Sequence, residues 1–478
     1  MLIGQVETYT SDMIAGWAFD DTKPNEPVFV DVKINGEPVA RLRASLPRLQ
    51  AQGRANGFVF MLPPALTAGK RRVTVAVEFA EGGATLGNSP RQMTVNRPSR
   101  RVVCFSPAGR VVHHDDVLAY QRNPKDHIER YSNSGDWMVY DSSLKLLSFG
   151  ELHITNIFEW DDKEVDLLNA EYDYCFLRGS NFIHDGVDWR DLASLLKKLK
   201  IPAIPFSVGA QAPERKKIEL SPNSLEVWKA FADHCATIGV RGTYTAEVMN
   251  DLGIKNVEII GCPSLLRHNN PFLRVNPKPW SEIKRVAFNL RREVSPAYAN
   301  NVGRYLDIQK RMMRELDRQF DLTVTCHGET AEKVFYFKDK ELLPKHRAEL
   351  FKSGWFESES DPLVKIYEER LFYNVDVPEY DRMIADKDLA IGFRVHGNLP
   401  AMANGVPAIC VDYDTRSREL ADSYDIPTLT MDEIEAKPLD ELYSPELFDR
   451  FNRNLIHNYR RMRDFLDRNG MSHNMLPV

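Results

Sequence analysis

The sequence holds six cysteines, Cys104, Cys175, Cys235, Cys262, Cys326 and Cys410, and no two of them form a C-x-x-C pair. That spacing excludes a zinc knuckle. Cys104, Cys175 and Cys410 sit inside apolar strand-like runs, which predicts buried free thiols in a reducing compartment. No window offers an apolar run long enough to span a bilayer. The opening residues, MLIGQVETYTSDM, lack the basic stretch followed by an apolar one that marks a secretory signal. Charge of one sign is lacking too. The 62 Lys and Arg face 68 Asp and Glu, for a net −6, so a generally basic nucleic-acid-binding surface is excluded. There is no repeat of solenoid length and no low-complexity segment. The expectation is a cytoplasmic protein with no nucleic-acid partner and, at most, a peripheral membrane contact.

What is present is a chain of 478 residues, 43% hydrophobic and 27% charged, long enough for two or three globular domains. Residues 1–98 read as all-β. PVFVDVKINGEPVARLRA alternates apolar and polar residues around Asn35-Gly36, a hairpin signal. NGFVFMLP and RRVTVAVEFA add short strands, so a small β-sandwich is predicted. AGWAFDD, residues 15–21, resembles the start of accessory β modules attached to bacterial carbohydrate-transferring enzymes. VNRPSR, 95–100, reads as the linker.

From about residue 101 strands and helices alternate. RVVCFS, YDYCFLRGSNF, IPAIPFSVGAQ, TIGVRG and VEIIGCPSLL are strand candidates. GDWMVYDSSLKLLS, WRDLASLLKKLK, SLEVWKAFADHCA and TAEVMNDLGI have helical spacing. The alternation restarts near 284 with RVAFNLRRE, a long basic helix over 301–320, and DLTVTCHGE. DLAIGF, a short helix and PAICVDY follow a less regular, aromatic-rich stretch, 327–380. Such alternation predicts parallel sheets covered on both faces. The predicted architecture is α/β: two Rossmann-like doubly wound domains facing a cleft, in the manner of GT-B enzymes, preceded by the β-sandwich. The boundaries are 99–275, 276–430 and, for C-terminal helices that pack back on the first half, 431–478.

The stretch IGFRVHGNLPAMANGVPAICVDYD, 391–414, carries the chemistry. Arg394 and His396 follow an apolar strand and precede a short helix, with Asn398 as N-cap, Pro400 in the first turn and Gly405 as the stop. They therefore lie at the carboxyl end of a parallel strand, where open α/β sheets bind ligands. Arg offers a planar fork to carboxylate or phosphate, and His holds or delivers a proton near neutral pH. These residues point to an anionic ligand with a proton transfer beside it.

This stretch resembles the signature of the polysaccharide pyruvyl transferase family, whose members move a pyruvyl group from phosphoenolpyruvate onto a sugar as a ketal. NSGDWM (133–138), FLRGSNF (176–182), FSVGAQ (206–211), IGVRGTYTAEVMNDLGIKNVEIIGCPSLL (238–266) and FNLR (288–291) resemble its other elements in order. The resemblance covers about 101–430. It departs at Gly242, where members usually carry an acid, at Cys262, where they usually carry Asp, and at Arg178, where glycine is usual. It implies that Arg394, His396 and Arg241 hold phosphoenolpyruvate, with His396 the first candidate for acid–base work. Asn289 and Arg291 of FNLR are read as further donor contacts, and Arg292 as added charge. Asp136, Asn181, His184 and His327 are read as acceptor-site candidates, with Glu329 beside the last. No metal or cofactor is required; phosphoenolpyruvate is a co-substrate, and the acceptor is a saccharide, free or lipid-linked, in exopolysaccharide or cell-surface glycan synthesis. HHDD (113–116) reads as a solvated loop, and WFESESDPLVKIYEERLFYNVD as a surface helix with packed aromatics or a lid. Two other readings stay open: a GT-B glycosyltransferase using a nucleotide sugar, with Glu419 nearest to a ribose-binding acid, and a non-catalytic carbohydrate-binding relative.

Overall fold

The computed structural model describes residues 1–10, 13–23, 26–47, 55–62, 72–94, 100–105, 127–128, 133–157, 160–186, 189, 192–212, 214–294 and 299–478. HHDD and most of VNRPSR lie outside these residues. Eight strands open the chain: β1 (Leu2–Tyr9), β2 (Met13–Asp20), β3 (Val28–Ile34), β4 (Glu37–Ala44), β5 (Leu46–Pro47), β6 (Ala55–Met61), β7 (Arg72–Phe79) and β8 (Arg91–Thr94). They form two antiparallel sheets, ordered β1-β2-β6-β5 and β4-β3-β7-β8. Alternation decides which face is buried: Val28, Val30, Val32 and Ile34 point inward from β3, and Phe29, Asp31 and Lys33 outward. Asn35 and Gly36 both have positive φ, 52° and 89°, as a tight two-residue hairpin turn requires. On the outer side of β4, Arg41 donates to the Arg382 carbonyl at 3.1 Å and Arg43 to the Gly405 carbonyl at 2.8 Å. These bonds seat the module on the body.

The first half of the body runs β9 (Arg101–Phe105), α1 (Ser134–Leu146), β10 (Glu151–Thr155), α2 (Asp162–Glu171), β11 (Tyr174–Arg178), α3 (Leu192–Leu196), β12 (Ala203–Phe206), α4 (Pro222–His234), β13 (Ile238–Val240), α5 (Thr243–Asp251) and β14 (Val257–Ile259). Its strands are parallel in the order β10-β9-β11-β12, continued through the Val208–Val240 bridge to β13-β14. The second half runs β15 (Arg285–Asn289), α6 (Val302–Gln319), β16 (Asp321–Cys326), α7 (Thr330–Phe337), α8 (Leu343–Lys352), α9 (Pro362–Glu369), β17 (Leu371–Tyr373), α10 (Val377–Ala385), β18 (Leu389–Gly392), α11 (Val395–Ala403), β19 (Ala408–Asp412), α12 (Thr415–Tyr424) and β20 (Thr428–Thr430). Its order, β17-β16-β15-β18-β19-β20, is that of a dinucleotide-type doubly wound sheet, and reverses between β15 and β18. Helices α13 (Met431–Ala436), α14 (Leu439–Leu442) and α15 (Asp449–Arg468) end the chain. The last returns to the first half, where Phe465 stacks on Phe206 at 5.9 Å.

Two expectations need correction. The stretch 327–380 is regular, holding α7, α8, α9, β17 and the start of α10. Its aromatics are packed, as expected, and form no lid: Trp355, Phe356 and Tyr367 are buried in the main core, Tyr373 is buried on β17, and β17 is the edge strand of the second sheet. Charged residues between the aromatics hid the period from the sequence. The helix after Arg394 also begins earlier than expected. Arg394 is itself the N-cap residue, and Pro400 stands in the second turn. Asn398 does not cap. Its buried amide donates to the Gly392 carbonyl at 2.9 Å and accepts from Asn289 at 2.6 Å, pinning α11 to the strand ends below it. Gly397 permits that approach, since a Cβ there would lie 2.3 Å from Asn289 Oδ1.

All six cysteines are unpaired. No helix among the described residues is long and apolar enough to cross a membrane.

Candidate active site

Arg394 lies where the second sheet reverses direction, beside the end of β15. Its Nε donates to the Leu290 carbonyl at 3.3 Å and its Nη2 to Glu329. Glu329 is fully buried and also accepts the backbone N–H groups of His327 (3.1 Å) and Gly328 (3.0 Å). Burial opposes its charge, but Arg394 and those N–H groups hold its carboxyl down at about 2. Arg394 Nη1 has no protein partner among the described residues and remains available to a ligand.

His396 stands in the first turn of α11, half-buried. Its Nε2 is 3.8 Å from Cys262 Sγ, which in turn is 3.0 Å from Ser264 Oγ. From the first half, Gly135 at the start of α1 packs on His396; a Cβ at Gly135 would lie 3.2 Å from the His396 Cβ. The starts of α1 and α11 therefore meet here, and both present N–H groups and the positive ends of their dipoles. Asn133 caps α1 through Gly135 N–H, and no side chain caps α11.

Arg241 follows β13 in the first half and is almost fully buried. It donates to the Ser207 carbonyl at 3.0 Å and to Asn181 Oδ1 at 2.5 Å. Arg178, at the end of β11, is also buried, and its Nη1 has no hydrogen-bond partner. His396 registers all of these charges. Burial comes first, then Arg241, His327, Arg394 and Arg178, and together they push its imidazole well below the usual histidine range. It is therefore neutral at pH 7. Of the three arginines around it, only Arg394 is ion-paired.

His327 lies beneath this cluster with no exposed surface. It contacts Ser134 Oγ at 3.1 Å, and its Nε2 has no partner. Burial, then Arg394, brings its imidazole down to about 3. Asp136 is the third residue of α1, half-buried, 3.3 Å from Asn133 Nδ2, and its charge reaches Arg241. Asn181 positions Arg241 rather than standing free. His184 lies three residues further along the same loop, half-buried, its Nδ1 accepting Gly186 N–H. Asn289 is buried, with its amide used by Asn398 and Thr325, so it shapes the floor and does not face the cleft. Arg291 is buried against Tyr413, to which it donates. Arg292 points away, paired with buried Glu332.

The sequence reading underweighted Arg178 and Glu329 and left Cys262 as a departure. The available signal for Arg178 was a cation ending an otherwise apolar buried strand, YCFL. Glu419 is a correction. It is buried and accepts the Thr245 N–H (3.0 Å) and Oγ1–H (2.7 Å) at the start of α5. Its carboxylate is thus committed to the facing domain and not open to a ribose. It supplies the helix cap that Gly242 lacks, and a Cβ at Gly242 would lie 2.8 Å from the Glu419 Cβ. Gly242→Ala is expected to cost about 1–3 kcal/mol by overpacking this contact, read as a lower urea midpoint. An unchanged midpoint would show that the domains are not in contact here.

Burial raises the Glu419 carboxyl to about 7 against the pull of Thr245. A carboxyl raised above its unfolded value favours the fold increasingly as pH falls from about 7 to about 4.5, and gives nothing above that window. Glu419→Gln should therefore be more stable than the parent at pH 8, by up to about 3 kcal/mol, with the gap closing by pH 5. Thermal melts across that range check it; a constant gap would refute the assignment. His268 and His327, both held near 3, have the opposite pH dependence but are shared by both proteins and cancel.

A family model for polysaccharide pyruvyl transferase matches residues 108–415. Comparison with curated proteins gives no match. Similar solved structures include the UDP-GlcNAc 2-epimerase of Neisseria meningitidis bound to UDP-GlcNAc, with 10% identity over 77% of this chain and 99% of that one and a TM-score of 0.41. They also include the UDP-N-acetylglucosamine 2-epimerase of Rickettsia bellii, with 11% identity over 77% and 98% and a TM-score of 0.38. A third is Anabaena Alr3699/HepE in complex with UDP and glucose, with 10% identity over 77% and 95% and a TM-score of 0.38. The matched family span takes in most strands of both sheets, the ends of β11 and β13, and the Arg394–His396 turn, and it covers more than half of the sequence. The chain belongs to the polysaccharide pyruvyl transferase family and is a transferase of that kind.

Proposed function

We propose that the protein transfers a pyruvyl group from phosphoenolpyruvate to two hydroxyls of one sugar, forming a ketal. The observation that carries this reading is the convergence of Arg178, Arg241 and Arg394, from both domains, on neutral His396. Phosphoenolpyruvate bears a carboxylate and a phosphate on three carbons and needs several cations close together. The starts of α1 and α11 add backbone donors for the same anion.

The reaction is assigned as follows. His396, protonated once the anion offsets the arginines, gives its proton to the methylene carbon. Positive charge develops at C2, and a sugar hydroxyl adds there and loses its proton. The C2–O bond to phosphate breaks, with the arginines stabilising the departing phosphate. The second hydroxyl closes the ketal and releases its proton. Cys262 lies against Nε2 of His396 and helps fix the ring. Asp136, half-buried at the start of α1, is the candidate base for the acceptor. Six unpaired cysteines support the reading of a reducing compartment, and the reaction is proposed as cytoplasmic.

Calorimetric titration of phosphoenolpyruvate, beside UDP-glucose, tests the reading. Phosphoenolpyruvate should bind and UDP-glucose should not. The opposite preference would replace this function with nucleotide-sugar transfer.

A further inference from the structure

A second cleft lies away from this site, between the β-module and the body. It encloses about 710 Å³. One wall is β2, the start of β3, β4 and the start of β6. The other is the segment joining the two halves, Pro271–Asn276, together with the first turns of α15. Among the described residues its charge is one-sided: Arg43, Arg274 and Arg453 line it against a single acid, Glu26. Arg274 and Arg453 are exposed and have no partner among the described residues. Arg43 donates to Gly405, but its Nε is buried and unbonded. Asn56 is 7% exposed, lines the cleft, and has a buried Oδ1 with no partner among the described residues. An amide more than nine-tenths buried and left unsatisfied is costly unless a ligand or water answers it. Phe272 stands 52% exposed at the same cleft, one of the few large apolar side chains open to solvent.

Guanidinium groups, a waiting amide and an exposed aromatic face are the groups that bind an acidic sugar. The first take carboxylates, the second a hydroxyl, and the third the apolar face of a pyranose ring. Arg43 also ties the cleft to the active site. It binds just past the carboxyl end of α11, whose first turn carries His396, and nine helical residues span roughly 14 Å.

We propose that the cleft between the β-module and the body binds a carboxylate-bearing saccharide segment of the polymer on which the enzyme acts, through Arg43, Arg274, Arg453, Asn56 and Phe272. That the ligand is a saccharide rests on the family assignment; that it is acidic rests on the arginines. A pyruvate ketal itself carries a carboxylate, so units already modified have the charge this cleft selects.

The test uses the full chain and two probes, trigalacturonate and a galactoside carrying a pyruvate ketal, with methyl-esterified trigalacturonate and oligoglutamate as controls. Calorimetry on the wild type should show binding of at least one acidic sugar and of neither control. Arg274→Gln with Arg453→Gln should weaken it at least tenfold, and Phe272→Ala about threefold or more. All three residues are exposed, so the variants should fold, and phosphoenolpyruvate titration of the same variants should be unchanged. Failure of both acidic sugars to bind, equal binding of oligoglutamate, or full binding by the double variant would overturn the proposal. Loss of phosphoenolpyruvate binding by the wild type would sink the donor assignment and leave this one standing.

Discussion

Arg394→Ala is expected to lower kcat/KM for phosphoenolpyruvate by about a thousandfold or more, the scale of losing one preorganised charge at the reacting group. It should also destabilise the fold, and the two effects have different causes. Arg394 neutralises Glu329, which has no exposed surface. Removing the arginine leaves that carboxylate buried and unpaired, at a cost of about 3–5 kcal/mol. The second change, Glu329→Gln, removes the stranded charge. Arg394→Ala/Glu329→Gln should thus recover most of the thermal stability and none of the activity. Melting curves and steady-state rates on the three proteins separate the effects. Activity that returned with stability would show that Arg394 only holds the fold together.

His396→Gln is expected to reduce kcat by about 10²–10⁴, the range for a positioned proton donor. A more specific sign is proton uptake. Burial and three arginines keep His396 neutral. A bound anion offsets those cations and raises its pKa, so binding at pH 6 to 7 should take up a proton. Calorimetry in two buffers of different ionisation heat reads that uptake directly. It should vanish in His396→Gln, while phosphoenolpyruvate affinity falls far less than in Arg394→Ala. Uptake that persisted would move the acid to another group, with buried His327 the first to examine.

Much of this site was legible because it obeys local rules. The apolar run DLAIGF, followed by Arg394 and His396 and a short helix, places both residues at a strand end, and the sheet reversal between β15 and β18 puts that end at the cleft. Arg241 was legible for the same reason, following β13. What could not be read depends on distance in space. The roles of Asn398 and Asn289 are set by each other across 109 positions of sequence, so the local cap rule gave the wrong start for α11. Glu419 reads as the nearest match to a ribose-binding acid until the first half is folded against it at Thr245. Arg178 was passed over as an irregularity in a turn, because nothing in a linear sequence says that its Nη1 ends without a partner. The regularity of 327–380 was hard to read because charged residues between its aromatics hid the helical period.

Helix α12 shows how the two domains are held in register. Thr415 donates to the Ala212 carbonyl at 2.7 Å, Glu419 accepts from Thr245, and Ser423 donates to the Arg241 carbonyl at 2.7 Å. Tyr424, next along, exchanges hydrogen bonds with the backbone of Cys262 at 2.9 and 2.8 Å. Thr415, Glu419 and Ser423 are four apart, so one stripe of a ten-residue helix touches three separate segments of the facing half. Each residue advances a helix by about 100°. Inserting or deleting a single residue inside α12 would swing this stripe away from all of its partners at once, and would shift Arg241 relative to Arg394. Length variation among related chains should therefore collect in the outer loops and stop at the borders of α12.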